Sequence, residues 1–143
     1  MKKFVMITII LLCIVLASVT YGYYRYTTKI AQIRQNNSTF EIYKDRITTG
    51  TDIVTVINKI IDNNNNHNVP KDEKGNFMDN GTTSILCDIY FVENEKTYKI
   101  ESIYNAGIEK FSKNFSNQKF LCTTLKYHDK TKTVSYLRFE QIK

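Results

Sequence analysis

The spacing of apolar positions changes from segment to segment along this chain, and each spacing predicts an element. Residues 4–19 form a continuous apolar run interrupted only by Thr8, Cys13 and Ser18. Lys2 and Lys3 precede it, and Tyr21, Tyr23, Tyr24 and Tyr26 follow. A bilayer core needs about 20 helical residues, and tyrosine rings settle at the headgroup level. Residues 4–24 are therefore long enough to span. Residues 26–35 stay helix-compatible, with Ile30 and Ile33 three apart, and read as a stalk that Asn36-Asn37-Ser38 should end.

Beyond the stalk, residues 40–48 alternate and predict a short strand. Thr49 and Asp52 have the spacing of a capping box. Behind them Ile53, Val54, Ile57, Ile60 and Ile61 make one apolar stripe, so a helix opens at Gly50. It is rich in β-branched residues and must be held by packing on a sheet. Residues 62–81 are polar, Asn-rich and hold Pro70, which predicts a long loop. Residues 84–92 alternate Ile85, Cys87, Ile89 and Phe91 against Leu86, Asp88, Tyr90 and Val92. A turn at 93–96 leads to a second strand over 97–103.

Tyr104, Ile108, Phe111 and Phe115 then fall at helical spacing, giving a second helix that ends near Asn117. Residues 119–128 and 133–142 form another hairpin. The order helix, hairpin, helix, hairpin predicts an α+β fold: an N-terminal transmembrane helix, then a four-stranded, mainly antiparallel sheet with two helices on one face. The expected organisation is an anchor over 1–24, a stalk or linker over 25–38 and a small domain over 39–143.

A cleavable signal peptide is the competing reading of the first segment. It needs an Ala-x-Ala-like site, and here Ala17 is followed by Val19, with Thr20 and Gly22 as the next pair. The weak site favours retention. Basic residues lie on both sides of the span, so charge alone does not orient it. The short basic N-terminus gives the default of N-terminus inside and domain outside the cytoplasm.

A net charge of +6 suggests nucleic acid until the charges are located. Residues 1–34 carry five Lys and Arg and no Asp or Glu, leaving 15 basic against 14 acidic side chains in the remainder. The basic excess flanks the apolar run, where it suits anionic lipid headgroups. The expected partners are membrane lipid through the N-terminal helix and a protein partner, not nucleic acid.

Asn, Ile and Lys account for 48 of the 143 residues, a bias of AT-rich bacterial genomes, and the Asn-x-Ser/Thr matches at Asn36, Asn37, Asn80 and Asn114 follow from Asn abundance. Cys13 lies in the apolar run. Cys87 and Cys122 lie in predicted strands, as small buried side chains or, in an exported domain, as an interstrand disulfide.

The sharpest chemical pattern is Asp62-x-Asn64-x-Asn66-x-Asn68, with Glu73 at the twelfth position, which is the spacing of a calcium-binding EF-hand loop. His67 replaces the required glycine, only Asp62 and Glu73 bring charge, and no second helix follows. A solvated loop is the expectation. No nucleophile motif or phosphate-cradling glycine loop is present. Cys122 and His128, six residues apart on one strand, lie about 20 Å apart. Cys87 with His128 has no supporting pattern, and His128 reads as a surface imidazole. Glu93 and Glu95 read as solvated turn residues. No catalytic, cofactor-binding or metal-ligating residue is assigned.

A pilin-like subunit shares the apolar helix and antiparallel sheet, but Thr8 stands where such segments carry Glu, and Lys3 precedes Phe4. The segments 49–59 (Thr-Gly-Thr-Asp-Ile-Val-Thr-Val-Ile-Asn-Lys) and 104–109 (Tyr-Asn-Ala-Gly-Ile-Glu) resemble those of uncharacterised, N-terminally anchored proteins of AT-rich Gram-positive bacteria. The resemblance carries no activity. The expectation is a single-pass membrane protein presenting a non-enzymatic domain at the cell envelope, structural or protein-binding. The alternatives are a pilin-like filament subunit and a weak calcium-binding domain.

Overall fold

The computed structural model describes residues 2–142; Met1, counted in the anchor, and Lys143, counted in the domain, lie outside them. Helix α1 runs Lys2–Glu41. The chain divides into two units, Met1–Gln35 and Asn36–Lys143. In the first, Phe4 to Val19 is exposed along its length, and α1 is long and apolar enough to cross a membrane. Thr8, Ser18 and Thr20 do not interrupt it, because each hydroxyl donates to a carbonyl one turn back, at 3.0 Å, 2.8 Å and 2.9 Å respectively. Polar side chains satisfied within the helix suit an apolar surround.

The expected stop at Asn36-Asn37-Ser38 is not one. Asn37 Nδ2 donates to the Lys132 carbonyl at 2.8 Å, and Asn37 Oδ1 accepts the Val134 N–H at 2.9 Å. An asparagine with both ends of its amide engaged has no reason to compete with the helical backbone. Phe40 is buried, so the helix extends through it to Glu41. The strand predicted over 40–48 shrinks to β1, Ile47–Thr49.

Helix α2 is Gly50–Asn66, with the predicted capping box formed: the Thr49 side chain accepts the Asp52 N–H, and Asp52 accepts the Thr49 N–H. Its buried stripe is Ile53, Val56, Ile57, Ile60 and Ile61, continued by Asn64, while Val54 is only partly buried. Gly50 sits against the chain near residue 115, where an added Cβ would collide with the Phe115 carbonyl oxygen.

Strand β2, Leu86–Phe91, buries alternate residues as predicted. Strand β3 is Lys96–Lys99, and the remainder of its expected length is instead α3, Ile100–Asn105. Ile100 and Ile103 are both buried, and three apart is a helical spacing. The single second helix is thus two pieces, α3 and α4, Ile108–Phe115, broken where Gly107 adopts a φ of 102°, a conformation that favours glycine. Strands β4, Lys119–Tyr127, and β5, Val134–Ile142, form the second hairpin.

The sheet has five strands, not four, in the order β1-β4-β5-β2-β3. Three junctions are antiparallel and one, β2 with β5, is parallel, so the sheet is mixed. The parallel junction follows from α3 and α4, which carry the chain back to the end where β3 began, so that β4 runs with β3 and β5 with β2. Phe120, Phe139, Ile89 and Leu137 from the sheet and the α2 stripe share one buried core. The other sheet face is tied by polar contacts, with Tyr136 donating to Asp88 at 2.9 Å and Arg138 to Glu140 at 2.8 Å.

Candidate functional site

A groove of about 310 Å3 opens beside β3 in the folded unit. Its apolar surface comes from two alternations meeting. Phe91 is the third buried residue of β2 after Cys87 and Ile89, while Phe111 and Phe115 are one turn apart on α4. The Phe91 ring centroid lies 5.0 Å from Phe115, 5.6 Å from Tyr98 and 6.2 Å from Phe111. Ile103 and Ala106 from the α3 side close the other wall. The helix break at Gly107 lets α3 and α4 each contribute a separate wall.

Polar groups occupy the rim. Among the described residues, the lining carries one charged side chain, the exposed Lys110, and no carboxylate. Asn94 braces the hairpin tip, donating to the Tyr98 hydroxyl at 3.1 Å and accepting the Lys96 N–H at 3.1 Å. Nearby Glu93 accepts from Gln141 Nε2 at 3.2 Å. An apolar concavity of this size with a few polar groups at its edge has the anatomy of a binding site.

The residues weighed for catalysis are placed otherwise. His128 is not a surface imidazole but is 4% exposed. Its Nε2 is 2.7 Å from the Ser84 carbonyl oxygen, so that nitrogen carries a proton and donates; its Nδ1 is 3.7 Å from Asp79 Oδ1. The Ser84 hydroxyl donates to Asp79 at 2.9 Å. The Gly81 N–H and then the Ser84 hydroxyl hold the Asp79 carboxyl below the usual range, with the His128 charge a smaller cause. Ser, His and Asp therefore meet, but the hydroxyl addresses the carboxylate and the ring addresses a carbonyl. General-base activation needs a ring-to-hydroxyl contact. This group is a clasp between the loop at 79–84 and the β4–β5 turn.

Cys87 and Cys122 are both buried free thiols. They flank β5, opposite Leu137 and Phe139 respectively. Two strand spacings put their Cα atoms about 10 Å apart, beyond disulfide range. Burial pushes the Cys87 thiol well above its ordinary value and, as the main cause, raises Cys122 to about 11. Neither is a thiolate at neutral pH, and the thiolate is the reactive form.

The run with calcium-loop spacing is divided between structures. Asp62, Asn64 and Asn66 belong to α2, so the loop expected from residue 62 starts after Asn66. The Asn64 amide is engaged with Ile85. Asn68 has a φ of 49°, and Asp72 closes a separate turn by accepting the N–H groups of Lys74 and Asn76. Among the described residues, no group of three His, Cys, Asp or Glu side chains is placed to hold a metal ion.

Two features escaped the sequence reading. Glu101, expected in a strand, is buried and accepts the Phe77 N–H at 3.0 Å; an acidic residue between Ile100 and Ser102 gave no sign of this. The groove had a partial sign in Tyr98, Phe111 and Phe115, but its walls needed the break at Gly107. Comparison of the chain with models of protein families, with characterised proteins and with solved structures finds no match.

Proposed function

We propose that this chain is a single-pass membrane protein, held by α1, whose folded unit is a non-enzymatic binding module at the cell envelope. The observation that carries the reading is the exposed apolar stretch of α1, whose polar side chains are satisfied within the helix. A lipid surround removes that apolar surface from water. The groove beside β3 supplies the binding half. The protonated, buried thiols and the clasped His128 support a non-enzymatic role. We place the folded unit outside the cytoplasm and the protein among the anchored envelope proteins of AT-rich Gram-positive bacteria.

Membrane fractionation with alkaline extraction, followed by intact mass, tests this. The expected result is a full-length chain that remains with the lipid. A mature form starting near Tyr21–Tyr23 and released from the membrane overturns the anchor.

A further inference from the structure

We propose that Asn80 is a guarded modification site: its side-chain amide deamidates through the Gly81 nitrogen, and the clasp at residues 79–84 holds that reaction back until the loop opens. Asn80-Gly81 is the one Asn-Gly pair in the sequence. Glycine has no Cβ to crowd its backbone nitrogen, so in a free chain this pair closes readily on itself. The Gly81 nitrogen attacks Asn80 Cγ. The N–Cγ bond forms, the Cγ–Nδ2 bond breaks, and the Gly81 amide proton leaves with Nδ2 as ammonia. Solvent water then opens the cyclic imide at either carbonyl, giving aspartate or isoaspartate with no change of oxidation state. Asn80 is half-buried and Gly81 exposed, so water has access. What holds the reaction back is the grip on the reacting groups.

Both groups are engaged. Asn80 Oδ1 accepts the N–H groups of Thr82, Thr83 and Ser84 at 3.0, 2.9 and 3.0 Å, and Nδ2 donates to Thr83 Oγ1 at 2.9 Å. Closing the ring makes Cγ tetrahedral and draws Nδ2 away, which disturbs all four contacts. The Gly81 N–H donates to Asp79 Oδ1 at 2.8 Å. That carboxyl is held below its usual range, so it accepts the hydrogen bond without taking the proton. The loop is itself pinned from two sides. The Thr131 and Thr133 hydroxyls of the β4–β5 turn lie 2.8 and 3.0 Å from the Thr82 carbonyl oxygen, and Asn63 of α2 donates to the Thr83 carbonyl at 2.9 Å.

The modification is one-way. A carboxylate at position 80 cannot donate to Thr83, and it sets a second negative charge beside Asp79. Isoaspartate also lengthens the main chain by one carbon, which displaces the N–H groups of residues 82–84 from their acceptor. A modified loop therefore does not close as before, and the modified fraction records how long the loop has stood open.

The test incubates the full chain in phosphatidylcholine nanodiscs in warm, mildly alkaline buffer, beside a synthetic peptide of residues 76–86 as the unguarded reference. Peptide mapping scores the one-dalton gain at Asn80 and separates aspartate from isoaspartate. The native chain should react at least about tenfold more slowly than the peptide, because only the open fraction reacts. Asp79→Ala, at an exposed side chain, should raise the native rate at least about threefold, and Thr131→Val combined with Thr133→Val should do so from the other side. Native labelling of Cys87 reports opening of the whole core and should stay at the wild-type level. Equal rates in native chain and peptide overturn the proposal. So does a native rate above the peptide's, since the donors at Oδ1 would then stabilise the oxyanion of attack. Unchanged rates in both variants overturn it because the named contacts then guard nothing. A matching rise in Cys87 labelling in both variants overturns it as well, since the protection would then belong to the whole fold.

Discussion

Asn64 brackets the backbone of Ile85. Its Nδ2 donates to the Ile85 carbonyl at 2.7 Å, and its Oδ1 accepts the Ile85 N–H at 2.9 Å, with both residues buried. The side chain takes the place of a neighbouring strand for one residue just before β2, joining the C-terminal end of α2 to the sheet. Asn64→Leu would leave a buried N–H and a buried C=O without partners, each costing about 1–3 kcal/mol. A loss of about 3 kcal/mol is expected by chemical denaturation. Asn64→Asp should also destabilise, since a carboxylate cannot donate to the carbonyl. A loss below 1 kcal/mol in the Leu variant would mean the bracket is dispensable.

The capping box predicts an acid limb in the stability profile. The Thr49 N–H, then the Thr48 and Thr49 hydroxyls, hold the Asp52 carboxyl below its ordinary value of 3.8. A carboxyl with a depressed folded pKa contributes stability that is complete above the unfolded value. That stability is lost as pH falls through the folded value. Asp52→Ala should cost about 1 kcal/mol at neutral pH and flatten the profile below about pH 4. Denaturation of the wild type and variant at pH 7 and pH 3 checks both.

Phe111 is 5% exposed, with ring contacts to Phe91, Phe115 and Phe120. Phe111→Ala should cost about 3–5 kcal/mol, a large share of a small domain's stability. A thermal melt unchanged within error would mean this cluster does not hold α4 to the sheet.

How much of this was legible depended on whether local pattern matched final surroundings. The apolar N-terminal helix, the capping box and the alternation of β2 are local, and each forms where its residues predict. Asn37, Asn64 and Glu101 were misplaced for one shared reason. Each is polar by sequence, yet completed by a backbone group far along the chain: Val134, Ile85 and Phe77 respectively. The strand expected over 40–48 was not counted in the four-stranded sheet, because its pairing with β4, as the short β1, is a contact far along the chain that its own alternation does not report. The groove combines β2, β3, α3 and α4, which no single periodicity reports.

Millimolar calcium should leave stability unchanged. A site with Kd near 10 μM would add about 2.7 kcal/mol at 1 mM ligand, a shift of several degrees. Asp62 and Asn64 are held in α2 and the Asn64 oxygen is occupied, so forming a calcium loop would require unwinding the helix end. A shift of that size, abolished by Glu73→Gln, would overturn this reading.

Cys87 and Cys122 should resist alkylation in the native protein and react once it is unfolded. Burial is the leading cause raising both thiols. Intact mass under non-reducing conditions should show no two-dalton loss, and rapid native labelling of Cys87 would contradict its place in the core.

The sheet order has a consequence for the timing of folding. Strand β5 follows the other four strands in the chain, yet it lies at the centre of the sheet, between β4 and β2. Leu86 meets Tyr136 only there. As the chain emerges from its N-terminus, the β2–β3 hairpin can close early, but its other edge must wait for a strand some 50 residues further on. Such distant pairings are slow to form. Until β5 arrives, the edge of β2 is open and the apolar side of the sheet is incomplete, the condition in which chains aggregate. The sheet therefore closes only once β5 is free, and any factor that escorts the chain must hold it until then.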